Sequence, residues 1–482
     1  MLSRREAILL IVLFLASLPA VTARLYSSDE VQYFSYLRSL WFDRDVSFEN
    51  EYRHFYDNRI AQTPDFYETF LVRSEAATGR RINYGTLGCA ILWVPFYGVA
   101  DVSVRAMRAA GRDIPADGYS WPYVSAVAYG SAFYGWCAIV LAIGAARRVI
   151  GARAISSALL VWAGTPLLFY SYVAPPFSHA CSAFAVALFV TVWLRVRGRW
   201  TVSGTAALGL SAALMAMVRE QDIFFVSGPA LDFLVTFVRS GDGRSVRPRL
   251  AAAAAGGAAF AAGYLPQLLA YLALNGRPGP SPLVGRKMFW YAPHALQVLV
   301  DPRHGFLFWT PLAALALAGL IVMISAPPRA IGARDATPMP SPRGPNRIVS
   351  PSDRRRVGAC LLLMVALQVY ISGAVESWTV AGAFGQRRFV AVTIVLVIGL
   401  AALRDWVRGR TAQRVLTAAI ALSVWWNVAL MAEFGTSMMD RQRLDLGRNA
   451  YDAFITLPRM APDLVRRYFT ARSSFYRPPE SR

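Results

Sequence analysis

With 482 residues, 55% of them hydrophobic, the chain is too apolar for a soluble protein built on one or two cores. Its net charge of +21 is carried by arginine, Lys287 being the single lysine, and the arginines cluster between apolar stretches. That pattern marks the cytoplasmic loops of a membrane protein and excludes nucleic acid as a partner.

Residues 1–23 place Arg4 and Arg5 ahead of an apolar run that ends in Val21-Thr22-Ala23. A signal-peptidase site has the same appearance, but the many apolar stretches that follow favour a retained first span. Residues 24–119 form a long first outer loop, and a loop of that length is more often functional than connecting. In it, Val31 to Leu37 reads as an amphipathic helix near the bilayer surface, followed by aromatic and charged pieces at Trp41 to Asp45, Glu49 to Asn58 and Arg73 to Arg81. Residues 84–106 are apolar but interrupted by Gly85, Gly88, Pro95, Gly98 and Asp101.

Further spans are expected at 120–146, 154–172, 179–195, 201–218, 223–238, 250–272, 305–325, 357–373, 389–403 and 414–432. If 84–106 does not cross, the arginine-rich loops around Arg147–Arg153, Arg195–Arg199, Arg239–Arg249, Arg329–Arg356 and Arg404–Arg414 all face the cytoplasm. The opposite parity puts all five outside, so 84–106 is expected to be a re-entrant or interfacial helix pair. The fold class is therefore all-α and polytopic, with about 11 transmembrane helices and a cytoplasmic N-terminus. The helical core is 120–432, interrupted by a Pro-, Ser- and Arg-rich cytoplasmic linker at 326–356, and 433–482 is an outer tail whose Tyr451 to Phe469 suits the membrane surface. Cys89, Cys137, Cys181 and Cys360 lie in or beside apolar stretches without metal-ligand spacing, so neither a disulfide framework nor a zinc site is expected.

The outer loops collect the chemically interesting residues. Asp29 and Glu30 are adjacent carboxyls where a span ends, a setting suited to a general base or to a ligand for a divalent cation. A helix start explains them as well: Ser27 or Ser28 caps the next helix and the acids favour its dipole. Arg286-Lys287, Arg303-His304 and Arg387-Arg388 put positive charge on the outer side, against the usual trend, where phosphate or anionic headgroups are its natural partners. His179 opens a span, and Arg219-Glu220-Gln221-Asp222 sits between two, at a depth where charges must pair with each other or serve a function. The chain has no P-loop, GxGxxG, HExxH or GxSxG, which leaves chemistry on a soluble nucleotide-binding domain unsupported.

Ser28-Asp29-Glu30, Asn83-Tyr84-Gly85, Leu92-Trp93-Val94-Pro95-Phe96, Ser178-His179-Ala180, Val218-Arg219-Glu220-Gln221, His304-Gly305-Phe306 and Gly385-Gln386-Arg387-Arg388-Phe389 together resemble the GT-C class of integral-membrane glycosyltransferases. The likeness is to bacterial members related to protein O-mannosyltransferases and aminoarabinose transferases. It implies a bacterial inner-membrane enzyme with its active site on the periplasmic face, taking a sugar from a polyprenyl-phosphate-linked donor. The acceptor is a glycan, a lipid or a protein. By position, Asp29 matches the base and Glu30 its neighbour. Arg387, Arg388, Arg303, His304, Arg286 and Lys287 match the lipid-phosphate contacts, while Tyr84, His179, Arg219 and Gln386 match the substrate pocket. The family's second outer acidic residue is missing, because 173–178 reads Val-Ala-Pro-Pro-Phe-Ser; a magnesium or manganese ion stays open, and His179 stands in that space. A polymerase or ligase of lipid-linked glycans, working with Arg and His, is one alternative. A flippase or transporter of the lipid carrier is the other, for which midplane charges and broken helices are the expected signs.

Overall fold

In a computed structural model, residues 2–61, 64–151, 153–239, 246–325, 350–380 and 382–475 are described. Among them all regular structure is helical, apart from isolated β-bridges at Ser74–Arg81 and Met288–Val375. Eight helices are long and apolar enough to cross a membrane: Gly88–Ala109, Trp121–Val149, His179–Val196, Glu220–Val238, Val246–Asn275, Pro351–Ala374, Arg387–Trp406 and Arg410–Thr436. Ala154–Ala163, Val202–Val218 and Pro311–Ser325 are shorter and equally apolar. Two expected spans are broken: 154–172 at Gly164 to Pro166, and 305–325 at Thr310, where Pro311 cannot continue the preceding turn. Residues 326–349 of the expected linker lie outside the described residues, and its last part is already helix, Pro351 onward, with Ser350 accepting from the Asp353 N–H.

Two features of the first loop go beyond the sequence reading. The apolar face of the helix Ser28–Arg38 is covered by protein, because Val31, Gln32, Phe34, Ser35, Tyr36 and Leu37 are all buried. They pack into an aromatic core with Phe48, Tyr52, Phe55, Phe66 and Phe70, in edge-to-face pairs such as Phe34–Phe55 and Tyr36–Phe48. Arg38 ties this unit together by pairing with Asp43 and, at 3.0 Å, with the buried Glu51. The second concerns 84–106, expected as a helix pair. Gly88–Ala109 is one continuous helix of 22 residues that runs through Pro95. Both of its flanks touch the same neighbour: the Tyr84 N–H donates to the Gln32 side chain before it, and the Asp117 carbonyl accepts from Arg38 after it.

The bundle closes tightly where small residues meet. A Cβ on Gly319 would lie 1.8 Å from the Gly399 carbonyl oxygen, so the Pro311–Ser325 and Thr393–Trp406 helices touch backbone to backbone. At its opposite end from the first outer loop the bundle carries ion pairs, with Glu6 of the first helix on Arg147 and Asp232 between Arg197 and Arg356. The chain's last described turn fastens the exit of the first helix. Arg472 donates to the carbonyls of Pro19 and Ala20, next to the Val21-Thr22-Ala23 stretch.

Candidate functional site

A cavity of about 480 Å³ opens where several apolar helices end together. The Ser28–Arg38 helix supplies Asp29, Gln32 and Tyr33 to its wall, and the segment that leads into Gly88–Ala109 supplies Tyr84 to Thr86. The joint between Val202–Val218 and the next turn supplies Arg219, Glu220 and Gln221. Lys287 comes from the segment after Val246–Asn275, and Arg387 and Arg388 from the start of the turn that leads into Thr393–Trp406.

Each charged group has a distinct partner. Asp29 Oδ2 lies 2.6 Å from an Arg387 guanidinium nitrogen. Arg219 donates to the Ser178 hydroxyl at 3.1 Å and meets His179 Nδ1 at 3.0 Å. Arg388 donates to the carbonyl and hydroxyl of Ser377 at 3.0 and 3.1 Å. The Lys287 ammonium sits 5.1 Å from the centre of the Tyr84 ring. Glu220 accepts from the Tyr271 hydroxyl at 2.6 Å. Four cations thus face two carboxylates, and Arg219 and Arg388 are held by neutral groups, so the cavity is a positively charged seat for an anion.

Of the two readings of the Arg219 to Asp222 stretch, the structure does not show mutual pairing of its charged side chains: Arg219 and Asp222 reach the start of His179–Val196, Asp222 accepting from Ser182 at 2.6 Å, and Glu220 reaches Tyr271. Glu30 is not in the cavity wall. Its carboxyl turns back to accept the N–H groups of Tyr26 at 2.9 Å and Ser27 at 3.0 Å, while Ser27 caps Asp29 in return. Burial is the largest influence on Glu30 and pushes it up to about 8. The folded protein therefore keeps a proton that the unfolded chain releases above its ordinary value of 4.5. This stability is fully present below that value and is lost as pH rises through about 8, at up to about 1.4 kcal/mol per pH unit. Glu30→Gln, neutral at every pH, is expected to flatten the fall in thermal midpoint between pH 5 and 8; an unchanged slope defeats this assignment.

Three further expected phosphate contacts stand elsewhere. Arg303 is exposed and closes on Asp301 at 2.9 Å. His304 is buried against Trp309, and burial pushes its imidazole below the usual range. Arg286 is exposed and outside the cavity wall. His179 and Gln386 support the site from behind. His179 positions Arg219, and Gln386 donates to the carbonyls of Trp378 and His304 at 3.0 and 3.3 Å, bracing the turn that presents Arg387.

The sequence reading missed Gln32 and Tyr33. Gln32 had a signal: it lies one helical turn after Asp29, on the same face. Its carboxamide oxygen accepts the Tyr84 N–H at 2.7 Å, and its backbone carbonyl accepts from Asn83 at 3.1 Å, joining two walls of the cavity. Gly88 joins two more. A Cβ there would lie 2.3 Å from the Val218 nitrogen, one residue before Arg219. Gly88→Ala is expected to cost about 1–3 kcal/mol of stability and to lower activity by displacing Arg219, checked by thermal unfolding beside turnover.

For a divalent cation the donor set is poor. Among the described residues no group of three His, Cys, Asp or Glu side chains gathers, and both cavity carboxylates are engaged, by Arg387 and Tyr271.

No family model matches the chain, and no curated protein matches it. Two crystal structures are similar to it. One is ArnT from Cupriavidus metallidurans bound to undecaprenyl phosphate, with a TM-score of 0.49 and 14% identity over 89% of this chain and 71% of that one. The other is the same protein in the apo state, with a TM-score of 0.46 and 14% identity over 88% and 69%.

Proposed function

We propose that the chain is a membrane glycosyltransferase that moves a sugar from a polyprenyl-phosphate-linked donor to an acceptor hydroxyl at the outer face of the membrane. The observation that carries this reading is the cavity's composition. A partly exposed carboxylate, Asp29, shares one cavity with Arg219, Lys287, Arg387 and Arg388, at the ends of apolar helices. The lipid phosphate is seated by the cations. Asp29 takes the proton of the acceptor hydroxyl, whose oxygen attacks the anomeric carbon. The bond from that carbon to the phosphate oxygen breaks, and the electron pair leaves with the polyprenyl phosphate, whose charge the arginines stabilise. One displacement inverts the anomeric configuration. No step is routed through a metal ion.

The arginine-bearing ion pairs at the other end of the bundle support a cytoplasmic assignment for that end and a periplasmic one for the cavity. The test is transfer by purified protein in liposomes, with a radiolabelled polyprenyl-phosphate sugar and a crude envelope extract as acceptor. Label moving to a new acceptor, with inverted configuration, supports the reading. Carrier moved across the bilayer without transfer replaces it with a flippase.

A further inference from the structure

Of the four cavity cations, Arg387 is the one that holds a cavity carboxylate. It therefore joins the two halves of the chemistry proposed above, the base and the phosphate seat. We infer that Arg387 is a positioning residue with two partners in turn: it holds Asp29 while the cavity is empty and transfers to the lipid phosphate when the donor binds, releasing the base only then. This rests on the glycosyltransferase reading of the site.

The geometry favours the exchange. The Asp29–Arg387 pair is half-open, with side-chain exposures of 39% and 24%, so each partner can change neighbours without unpacking the bundle. The guanidinium carbon lies 5.5 Å from the centre of the Phe177 ring, a face along which a planar cation can shift at little cost. Arg219 and Arg388 are held in place by Ser178, His179 and Ser377. A donor phosphodiester seated between those fixed cations offers Arg387 two free oxygens matched to its fork, whereas Asp29 holds it through Oδ2 alone. While the guanidinium occupies Asp29 Oδ2, that oxygen is closed to an acceptor hydroxyl, so the exchange uncovers it at the moment a leaving group is in position. Donor binding then precedes productive acceptor binding.

The exchange has a binding signature, because phosphate must compete with Asp29 for Arg387. The probe is polyprenyl monophosphate without sugar, titrated into wild type, Asp29→Asn, Arg387→Gln and the double variant in nanodiscs, with the neutral polyprenol as control. Asp29→Asn is expected to bind the phosphate about 3- to 10-fold more tightly, the range of a partly exposed ion pair. In the Arg387→Gln background the same change is expected to give much less. Should Arg387→Gln lose its cooperative melt, Arg387→Lys, which keeps the charge but loses the fork, completes the cycle. Unchanged or weaker binding by Asp29→Asn overturns the exchange, because Asp29 then orients Arg387 toward the phosphate. Equal tightening in both backgrounds also overturns it, leaving bulk charge as the cause. Wild type that binds phosphate no better than polyprenol removes the phosphate seat itself, and the exchange with it.

Discussion

Asp29→Asn is expected to lower glycosyl transfer by about 10²- to 10⁴-fold, the usual contribution of a positioned general base, while the protein melts as wild type does and still binds polyprenyl phosphate. The substitution keeps size and hydrogen-bonding capacity, and Asp29 is not buried, so folding has little reason to suffer. The loss is expected in kcat, with no rise in the donor KM, because the carboxylate acts on the acceptor proton during the reaction and its removal leaves Arg387 to the donor phosphate. Glu30→Gln is the matched control. It sits one residue away, has the same chemistry, and points into a helix cap instead of the cavity, so it is expected to transfer at close to the wild-type rate. The measurement is single-turnover transfer in liposomes with saturating donor. Asp29→Asn within threefold of wild type ends the base assignment and moves the mechanism to the Arg and His groups of a polymerase or ligase. If Glu30→Gln falls as far as Asp29→Asn, the carboxyl pair acts as a unit.

What the sequence made legible follows from how each property is encoded. Arg387 and Arg388 stand out in the sequence because positive charge lies on the side expected to be poor in it, and Asp29 because it adjoins a second carboxyl where a span ends. The all-helical fold was legible from apolar length, and the start of the helix after the first apolar run from Ser27 or Ser28 as its cap with Asp29 and Glu30 in its first turn. What stayed open depended on long-range packing. Nothing local says whether the apolar residues from Val31 to Leu37 face lipid or protein; the answer lies in Phe48, Tyr52 and Phe55, which cover them. The sequence left open whether Arg219 to Asp222 pair with one another, because the partners that decide it, Ser178, Ser182 and Tyr271, come from two other elements far away in sequence. Arg303-His304 carried the same statistical signal as Arg387-Arg388, yet Asp301, two residues before Arg303, neutralises it outside the cavity.

The largest expected loss of stability comes from the end of the bundle opposite the cavity. Asp232 is fully buried and accepts from Trp193 Nε1 at 3.0 Å and from Arg197 at 2.8 and 3.1 Å, with Arg356 paired at 3.0 Å. One carboxylate thereby fastens the end of His179–Val196 and the Pro351–Ala374 helix to its own. Asp232→Ala leaves Arg197 buried, with only Asp353 at 3.4 Å as a charged partner, and is expected to cost about 3–5 kcal/mol, seen as a fall of the thermal midpoint by several degrees. The penalty belongs to the stranded cation more than to the lost bond. Asp232→Leu combined with Arg197→Met is therefore expected to recover much of it, while Arg356 keeps its surface partner Asp353 at 2.7 Å. A double variant no more stable than Asp232→Ala makes the network a genuine source of stability, not a well-compensated cost. Turnover per folded molecule is the companion measurement. The network touches none of the cavity residues, so turnover is expected to hold at temperatures where Asp232→Ala remains folded. A drop there means that the crossing of these three helices sets the position of Arg219, and of the Ser377 that holds Arg388, beyond their far ends.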